Sequence, residues 1–406
     1  MADIRPFQAI RPAKGWEDKI AALPYDVYNR KEAKAIVEKN PDSFLRIDRG
    51  ETNFPDDVST YDDKVYQMSH DLLWKMVEDG KFIQDEKACY YLYRLTMDGR
   101  AQTGIVACAS IDDYCNNIIM KHENTREEKE VDRIRHIDTT NAQTGPIFLA
   151  FRDDVTIENI MAEEQAKEPV YQFVADDGVE HCVWVITDEE NIRKLQVTFS
   201  QTNKIYIADG HHRCASAVKV GLQRRKEGVE QESDHFLSVL FPQSQLKILD
   251  YNRVLKDMNG KTADEILAEV KKYFTVEESD KAVSPDLKGR FGMLLDDKWY
   301  VLTIKEEYKN DDAVEGLDVS LLQDYVLNPI FGIENPKTDN RIDFVGGIRG
   351  LKELERRCAT DCCVAFSMYP TSIEELFAVA DEGKLMPPKS TWFEPKLRSG
   401  LFIHKI

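Results

Sequence analysis

Five consecutive residues, Asp209-Gly210-His211-His212-Arg213, concentrate more chemistry than any other stretch of this chain. Arginine offers a rigid planar fork of N–H donors matched to phosphate and carboxylate oxygens. Each histidine can donate to an oxyanion or carry a proton near neutral pH. Glycine lets the backbone come close to a ligand. The residues before the group, Lys204-Ile205-Tyr206-Ile207-Ala208, read as a short strand. Those after it, Arg213 to Val218 with Ala215 and Ala217, read as the start of a helix. A helix N-terminus presents unpaired N–H groups and a partial positive charge, which suits an anion. The five residues together predict a phosphate grip. Asp-Gly alone would read as a helix cap, and two adjacent histidines also raise the question of zinc. Neighbouring histidines usually point apart, however, and no third ligand stands at a metal-like spacing.

Three other clusters bear polar groups that could act with this turn. In Lys121-His122-Glu123-Asn124-Thr125, a paired histidine and carboxylate can form an acid–base couple or meet Mg²⁺ through water. The charged run that follows, Arg126 to Glu130, reads as the solvated face of a helix whose apolar residues are Val131, Ile134 and Ile137. Pro24-Tyr25-Asp26 reads as a turn carrying a carboxylate. The stretch from Met386 to Lys396 contains Pro387, Pro388 and Pro395, which forbid a regular helix. Its Lys389, Ser390, Thr391 and Lys396 make a positive, hydroxyl-rich surface suited to phosphate or carboxylate, unless the loop only covers the core through Trp392 and Phe393. Gly346-Gly347-Ile348-Arg349-Gly350 lacks the spacing of a nucleotide loop and reads as the approach to a helix.

The elements that must position these groups are a mixture of hairpins and helices. Asp98-Gly99, Asp177-Gly178 and Asp296-Asp297 each separate two apolar runs and predict hairpins. Helical spacing predicts helices over Lys31–Glu38 and around Val65–Met76. Thr125 with Glu128, Thr187 with Glu190, and Thr262 with Glu265 have capping-box spacing. This mixture predicts an α+β fold. With 406 residues the chain is long enough for two domains. We expect residues 1–250 as an N-terminal nucleotide- or phosphate-binding domain and 251–406 as a C-terminal α+β domain, with a boundary near Pro242–Asn259 and a tail able to pack back on the first domain.

The net charge of −19 repels polyanions, so nucleic acid and anionic membrane are poor partners. Nothing in the sequence reads as a membrane span or a secretion signal. The eight cysteines form no Cys-x-x-Cys pair and read as reduced, mostly buried thiols in a cytoplasmic protein.

Gly210-His211-His212-Arg213, placed between a strand and an alanine-rich helix, resembles the phosphate-binding signature of the ParB/sulfiredoxin superfamily. Pro24-Tyr25-Asp26-Val27, Asn40-Pro41, Lys121 to Thr125, Asp132-Arg133, Ile207 to Arg213, Phe291-Gly292-Met293 and Met386 to Thr391 are similar to motifs of a large microbial family of unknown function. The chain is identified as a member of that family. That family resembles the free serine kinases, which phosphorylate the amino acid itself. The resemblance implies a ParB/sulfiredoxin-like N-terminal domain and a small-molecule phosphotransferase using Mg²⁺ with ATP or ADP. It implies Asp209, Gly210, His211, His212 and Arg213 at the phosphates, with a histidine neutralising developing charge. Asp26, or else Glu123 beside His122, would orient and deprotonate a substrate hydroxyl. A substrate carboxylate would meet Lys121 or the group Lys389, Ser390, Thr391 and Lys396. Asp26 is shorter than the glutamate usual at its place, and Cys214 replaces a common tyrosine. A sulfinic acid reductase needs cysteine where His211 stands, which opposes that chemistry. The alternatives are a non-catalytic nucleotide-binding regulator of the ParB type and a metabolite sensor.

Overall fold

The computed structural model describes residues 1–125 and 127–406; Arg126, named above within the charged run, lies outside them. The chain is α+β and divides into two compact units, Met1–Leu246 with Pro395–Ile406, and Lys247–Glu394. Among the described residues no helix is long and apolar enough to cross a membrane.

In the first unit, nine strands among the described residues form one mixed sheet. The hairpin Tyr90–Met97 and Arg100–Ser110 lies at its middle. Asp98 and Gly99 both take positive φ, 51° and 77°, the backbone that matches a two-residue hairpin to the twist of its strands. Glu180–Ile186 extends the hairpin on one side. On the other side His235–Pro242 pairs antiparallel with Arg100–Ser110, and every one of its eight residues is buried. Beyond it come Ile147–Phe151, Ile205–Asp209 and the short strand Ile119–Met120. This outer part mixes directions, since His235–Pro242 runs parallel to Ile147–Phe151, whereas Ile205–Asp209 runs antiparallel to that same strand. The helices Glu127–Thr140 and His211–Arg224 pack on one another beside this end of the sheet.

The final twelve residues are built into this unit. Ile10 and Ile403 exchange both backbone hydrogen bonds, at 2.9 and 3.0 Å, and His404 pairs with Gln143. Gly400 has φ +83°, and a Cβ there would stand 2.6 Å from the Phe44 ring, so only glycine fits.

In the second unit six strands form an antiparallel sheet in the order Phe274–Ser279, Lys298–Ile304, Arg290–Leu295, Val364–Met368, Tyr251–Leu255 and Ile342–Gly346. Asp296 and Asp297, both at positive φ, make the third expected hairpin turn. Thr262 caps its helix with the expected box, its side chain accepting from the Glu265 amide. Thr187 does not: Asp188 accepts from the Asn191 amide, because a carboxylate one residue later reaches the same N–H groups. Cys362 is buried but Cys363 is exposed, because both precede the strand Val364–Met368 rather than lying within it.

Candidate functional site

The strand Ile205–Asp209 carries a register shift against its neighbour between Ile207 and Asp209. Such an irregularity turns a side chain away from its pleat direction. Asp209 then accepts a hydrogen bond from the Gly210 amide at 2.8 Å on one oxygen and from Lys396 Nζ at 3.1 Å on the other. Burial pushes this carboxyl up, but Lys396 and Arg213 outweigh it and hold Asp209 well below the usual carboxylate range. It is a fixed anion that anchors Lys396.

Gly210 has φ +92° and ψ 32°, a left-handed backbone, and it starts the helix His211–Arg224. No side chain caps that helix at Gly210, so its first turn lacks the side-chain acceptor that usually serves such amides. The helix begins two residues earlier than the sequence suggests, because glycine supplies the left-handed step that lets His211 enter it directly. Arg213 folds back over the turn. A Cβ on Gly210 would lie 3.2 Å from its Nε and Nη2. Its Nη1 donates to the Pro146 carbonyl at 2.7 Å, which fixes the plane of the guanidinium. Among the described residues Nε and Nη2 have no hydrogen-bond acceptor. Uncapped amides and spare guanidinium donors thus converge on one point.

His122 and His211 stand edge to face behind this point, ring centres 4.4 Å apart. Both are buried. Burial holds His122 down to about 4, against the opposing pull of Asp209 and the Ile207 carbonyl. Burial and the neighbouring His122 lower His211 as well. Both rings are therefore neutral at pH 7 and can supply hydrogen bonds but not charge. His122 Nδ1 is buried without a partner. Glu123, half exposed, brings Oε2 to 3.9 Å from His211 Nδ1.

A cavity of about 30 Å³ adjoins the turn, lined by Tyr25, Asp48, Arg133, Thr144, Arg213 and Ser399 among others. The Arg133 guanidinium lies 4.0 Å over the Tyr25 ring and pairs with Asp132 at 2.7 Å through Nη2. Asp132 is held from its other side by the Tyr66 hydroxyl at 2.8 Å. Arg133 Nη1 has no acceptor among the described residues. Asp48 accepts from the Thr144 hydroxyl at 2.9 Å. Ser399 is 2% exposed and its hydroxyl has no partner among the described residues. The cavity therefore sets two cations, one buried carboxylate and one unused hydroxyl around a small space whose other walls are apolar.

Asp209, Gly210, His211, Arg213, His122, Glu123 and Lys396 meet around the turn. Asp26 is an exposed residue next to Tyr25. Burial and Asp26 raise the Tyr25 hydroxyl while Arg133 and Arg213 lower it, which puts Asp26 and Arg213 in electrostatic reach of one phenol. His212 is half-buried on the first helical turn. Lys121 lies 4.3 Å from the Tyr114 ring centre. Lys389, Ser390 and Thr391 belong to the second unit, and there the Ser390 hydroxyl already donates to the Pro387 carbonyl at 2.6 Å. Sequence reasoning did not single out Tyr25, Asp48, Arg133 or Ser399. Pro24-Tyr25-Asp26 and Asp132-Arg133 were visible as motifs, but their stacking needs the fold.

Among the described residues no group of three His, Cys, Asp or Glu side chains could hold a metal ion.

The class of molecule is an α+β chain with an uncapped, arginine-covered helix start. The chain belongs to DUF1015, described as a protein of unknown function, which matches residues 4–320. A search of the curated proteins gives no match. Among solved structures the chain is similar to a free serine kinase in complex with AMP, at 16% identity and TM-score 0.36, covering 74% of this chain and 91% of that one. It is also similar to a C-terminally truncated SbnI from Staphylococcus aureus, at 12% identity and TM-score 0.40, covering 73% and 86%. A conserved hypothetical protein from Pyrococcus furiosus gives 16% identity and TM-score 0.35, covering 74% and 94%. Likenesses this distant carry no argument about the chemistry of this chain.

Proposed function

We propose that the first unit binds the phosphates of ATP or ADP at the Gly210 turn and transfers one to the hydroxyl of a small metabolite. The observation that supports this is the convergence of the uncapped first-turn amides with the spare donors of Arg213, whose plane is fixed by the Pro146 carbonyl. Phosphoryl transfer asks little of a protein beyond positioning and charge stabilisation, and this arrangement offers both. The motif Gly210-His211-His212-Arg213 supports placing this unit in the ParB/sulfiredoxin superfamily.

In this reading the acceptor approaches the Gly210 turn beside Arg213, its hydroxyl toward the small cavity that Arg213 and Arg133 line. Its hydroxyl oxygen forms a bond to the terminal phosphorus as the bond from phosphorus to the leaving phosphate oxygen breaks. The hydroxyl proton passes to Asp26. Arg213 and the helix amides hold the equatorial oxygens, and His211, being neutral, donates a hydrogen bond rather than charge. Mg²⁺, when bound with the nucleotide, neutralises the leaving phosphates. Lys396 holds Asp209 in place and adds positive potential.

The test is incubation with Mg²⁺, ATP or ADP, and L-serine, followed by phosphorus NMR for phosphoserine. Asp26→Asn should lower turnover by at least about 10²-fold while nucleotide affinity is kept. Full turnover in Asp26→Asn would remove Asp26 as the base. Absence of nucleotide binding by calorimetry would remove the whole reading.

A further inference from the structure

Arg253 lies on an inner strand of the second unit's sheet, Tyr251–Leu255, and is 3% exposed. Its guanidinium donates to two backbone carbonyls, that of Tyr251 and that of Lys389, the latter at 3.0 Å. Its carbon lies 5.5 Å from the centre of the Phe344 ring. Among the described residues no carboxylate pairs with it. Burial pulls this guanidinium down to about 10, so it stays charged at neutral pH. Among the described residues the other deeply buried arginines are paired, Arg133 with Asp132 and Arg398 with Asp177. A buried cation satisfied only by carbonyl dipoles is costly to fold, and such groups are ordinarily paired.

A second cation stands beside it. Lys389 is exposed, and its Nζ lies 5.4 Å from the centre of the Tyr251 ring. Its backbone has φ +61°, a left-handed conformation that a lysine adopts at a cost. That strained residue is the one whose carbonyl Arg253 binds. Trp392 packs edge-on against Tyr251, ring centres 4.9 Å apart, and covers Gly346 so closely that a Cβ there would meet the indole at 2.8 Å. Tyr251, Phe344 and Trp392 therefore gather beside two cations with which, among the described residues, no carboxylate pairs. Strain, charge without a paired carboxylate and an aromatic wall coincide within one short loop and two neighbouring strands.

We propose that Arg253 and Lys389 form an oxyanion-binding site of the second unit, taking the terminal phosphate or carboxylate of a small metabolite. The incoming group replaces the Lys389 carbonyl as an acceptor of the Arg253 N–H groups and takes the Lys389 ammonium as its second partner. Charge-assisted contacts of this kind are about twice as strong as neutral ones, which favours the exchange.

The experiment is calorimetric titration of the full chain with inorganic phosphate and, separately, with acetate. It is run in an Arg213→Ala background, so that the Gly210 turn is disabled. We expect that protein to retain one phosphate equivalent, and Lys389→Met added to it to weaken the affinity at least about tenfold. Competition by acetate at similar concentration assigns the site to carboxylates, and its absence assigns it to phosphates. The proposal is overturned if the Arg213→Ala protein takes up neither ion, or if Lys389→Met leaves uptake unchanged. Arg253→Lys is a companion variant. If it does not fold, the exposed Lys389 carries the test alone. Loss of nucleotide binding in Arg213→Ala with phosphate uptake retained would separate this site from the proposed kinase reading.

Discussion

Lys396 and Asp209, 187 positions apart in the chain, meet at 3.1 Å. The pair fastens the returning tail to the strand end that carries the Gly210 turn. It also holds the Asp209 carboxylate ionised beside the Gly210 turn. Replacing Lys396 with Met leaves that carboxylate with only the Gly210 amide and a neighbouring guanidinium. Because both partners are partly exposed, we expect a stability loss of only about 1 kcal/mol. Nucleotide affinity should fall at least about tenfold as Asp209 repels the phosphates. Calorimetry and thermal unfolding on the same sample separate the two effects, and unchanged affinity would deny the pair a part in binding.

Gly210→Ala tests the turn itself. Both Gly210 and Gly178 have positive φ, 92° and 81°, but only Gly210 has a neighbour in the way, the Arg213 guanidinium. Gly178→Ala should cost about 1 kcal/mol from backbone strain alone. Gly210→Ala should cost more and should displace Arg213. Equal unfolding midpoints for the two variants would contradict the crowding.

Arg213→Lys keeps a positive charge but loses the planar fork. The Pro146 carbonyl now fixes that plane, leaving Nε and Nη2 for a ligand. A lysine cannot hold the carbonyl and two phosphate oxygens in that geometry. Affinity for ADP should drop by about 10- to 100-fold, with little change in unfolding midpoint.

All eight histidines fall in the first unit. Burial lowers His122 to about 4 and His181 to about 3, and it lowers His136, His211 and His404 too. The unfolded chain therefore takes up protons before the folded one does as the pH falls. Stability is intact above about pH 6.5 and declines as the pH is lowered through 4. Hydrogen exchange followed by peptide mass spectrometry should show this decline in residues 1–246. Substituting His122 with Gln should make it shallower.

Asp318, in the second unit, behaves oppositely. Burial pushes its carboxyl up to about 7, although both oxygens accept from the Gly289 amide. Its folded form binds the proton more tightly than its unfolded form, so the strain is full above pH 7 and eases as the pH falls toward 4. Asp318→Asn keeps an acceptor without the charge. It should raise the stability of the second unit by roughly 2 kcal/mol at pH 8, and by less at pH 5.

Much of this molecule was written in local sequence. The turn Asp209–Arg213 was visible because its residues are contiguous. Asp98-Gly99 and Asp296-Asp297 announced their hairpins, and Thr262 with Glu265 announced a helix start. Each depends on the stereochemistry of a few neighbouring residues, so short-range pattern determines it. The tertiary structure alone decided which distant groups joined the turn. Lys396 reached Asp209 because the tail returns beside Ile10 and Gln143. Arg133 found the Tyr25 ring, and Arg213 found the Pro146 carbonyl, through the packing of separate helices and loops. The register shift before Asp209 depends on a neighbouring strand far away in sequence. The sheet alone buries Arg253 without a paired carboxylate among the described residues. Contiguous chemistry is set by bond geometry within a few residues, whereas the partners, burial and charge state of each group are set by the path the whole chain takes to bury its apolar faces.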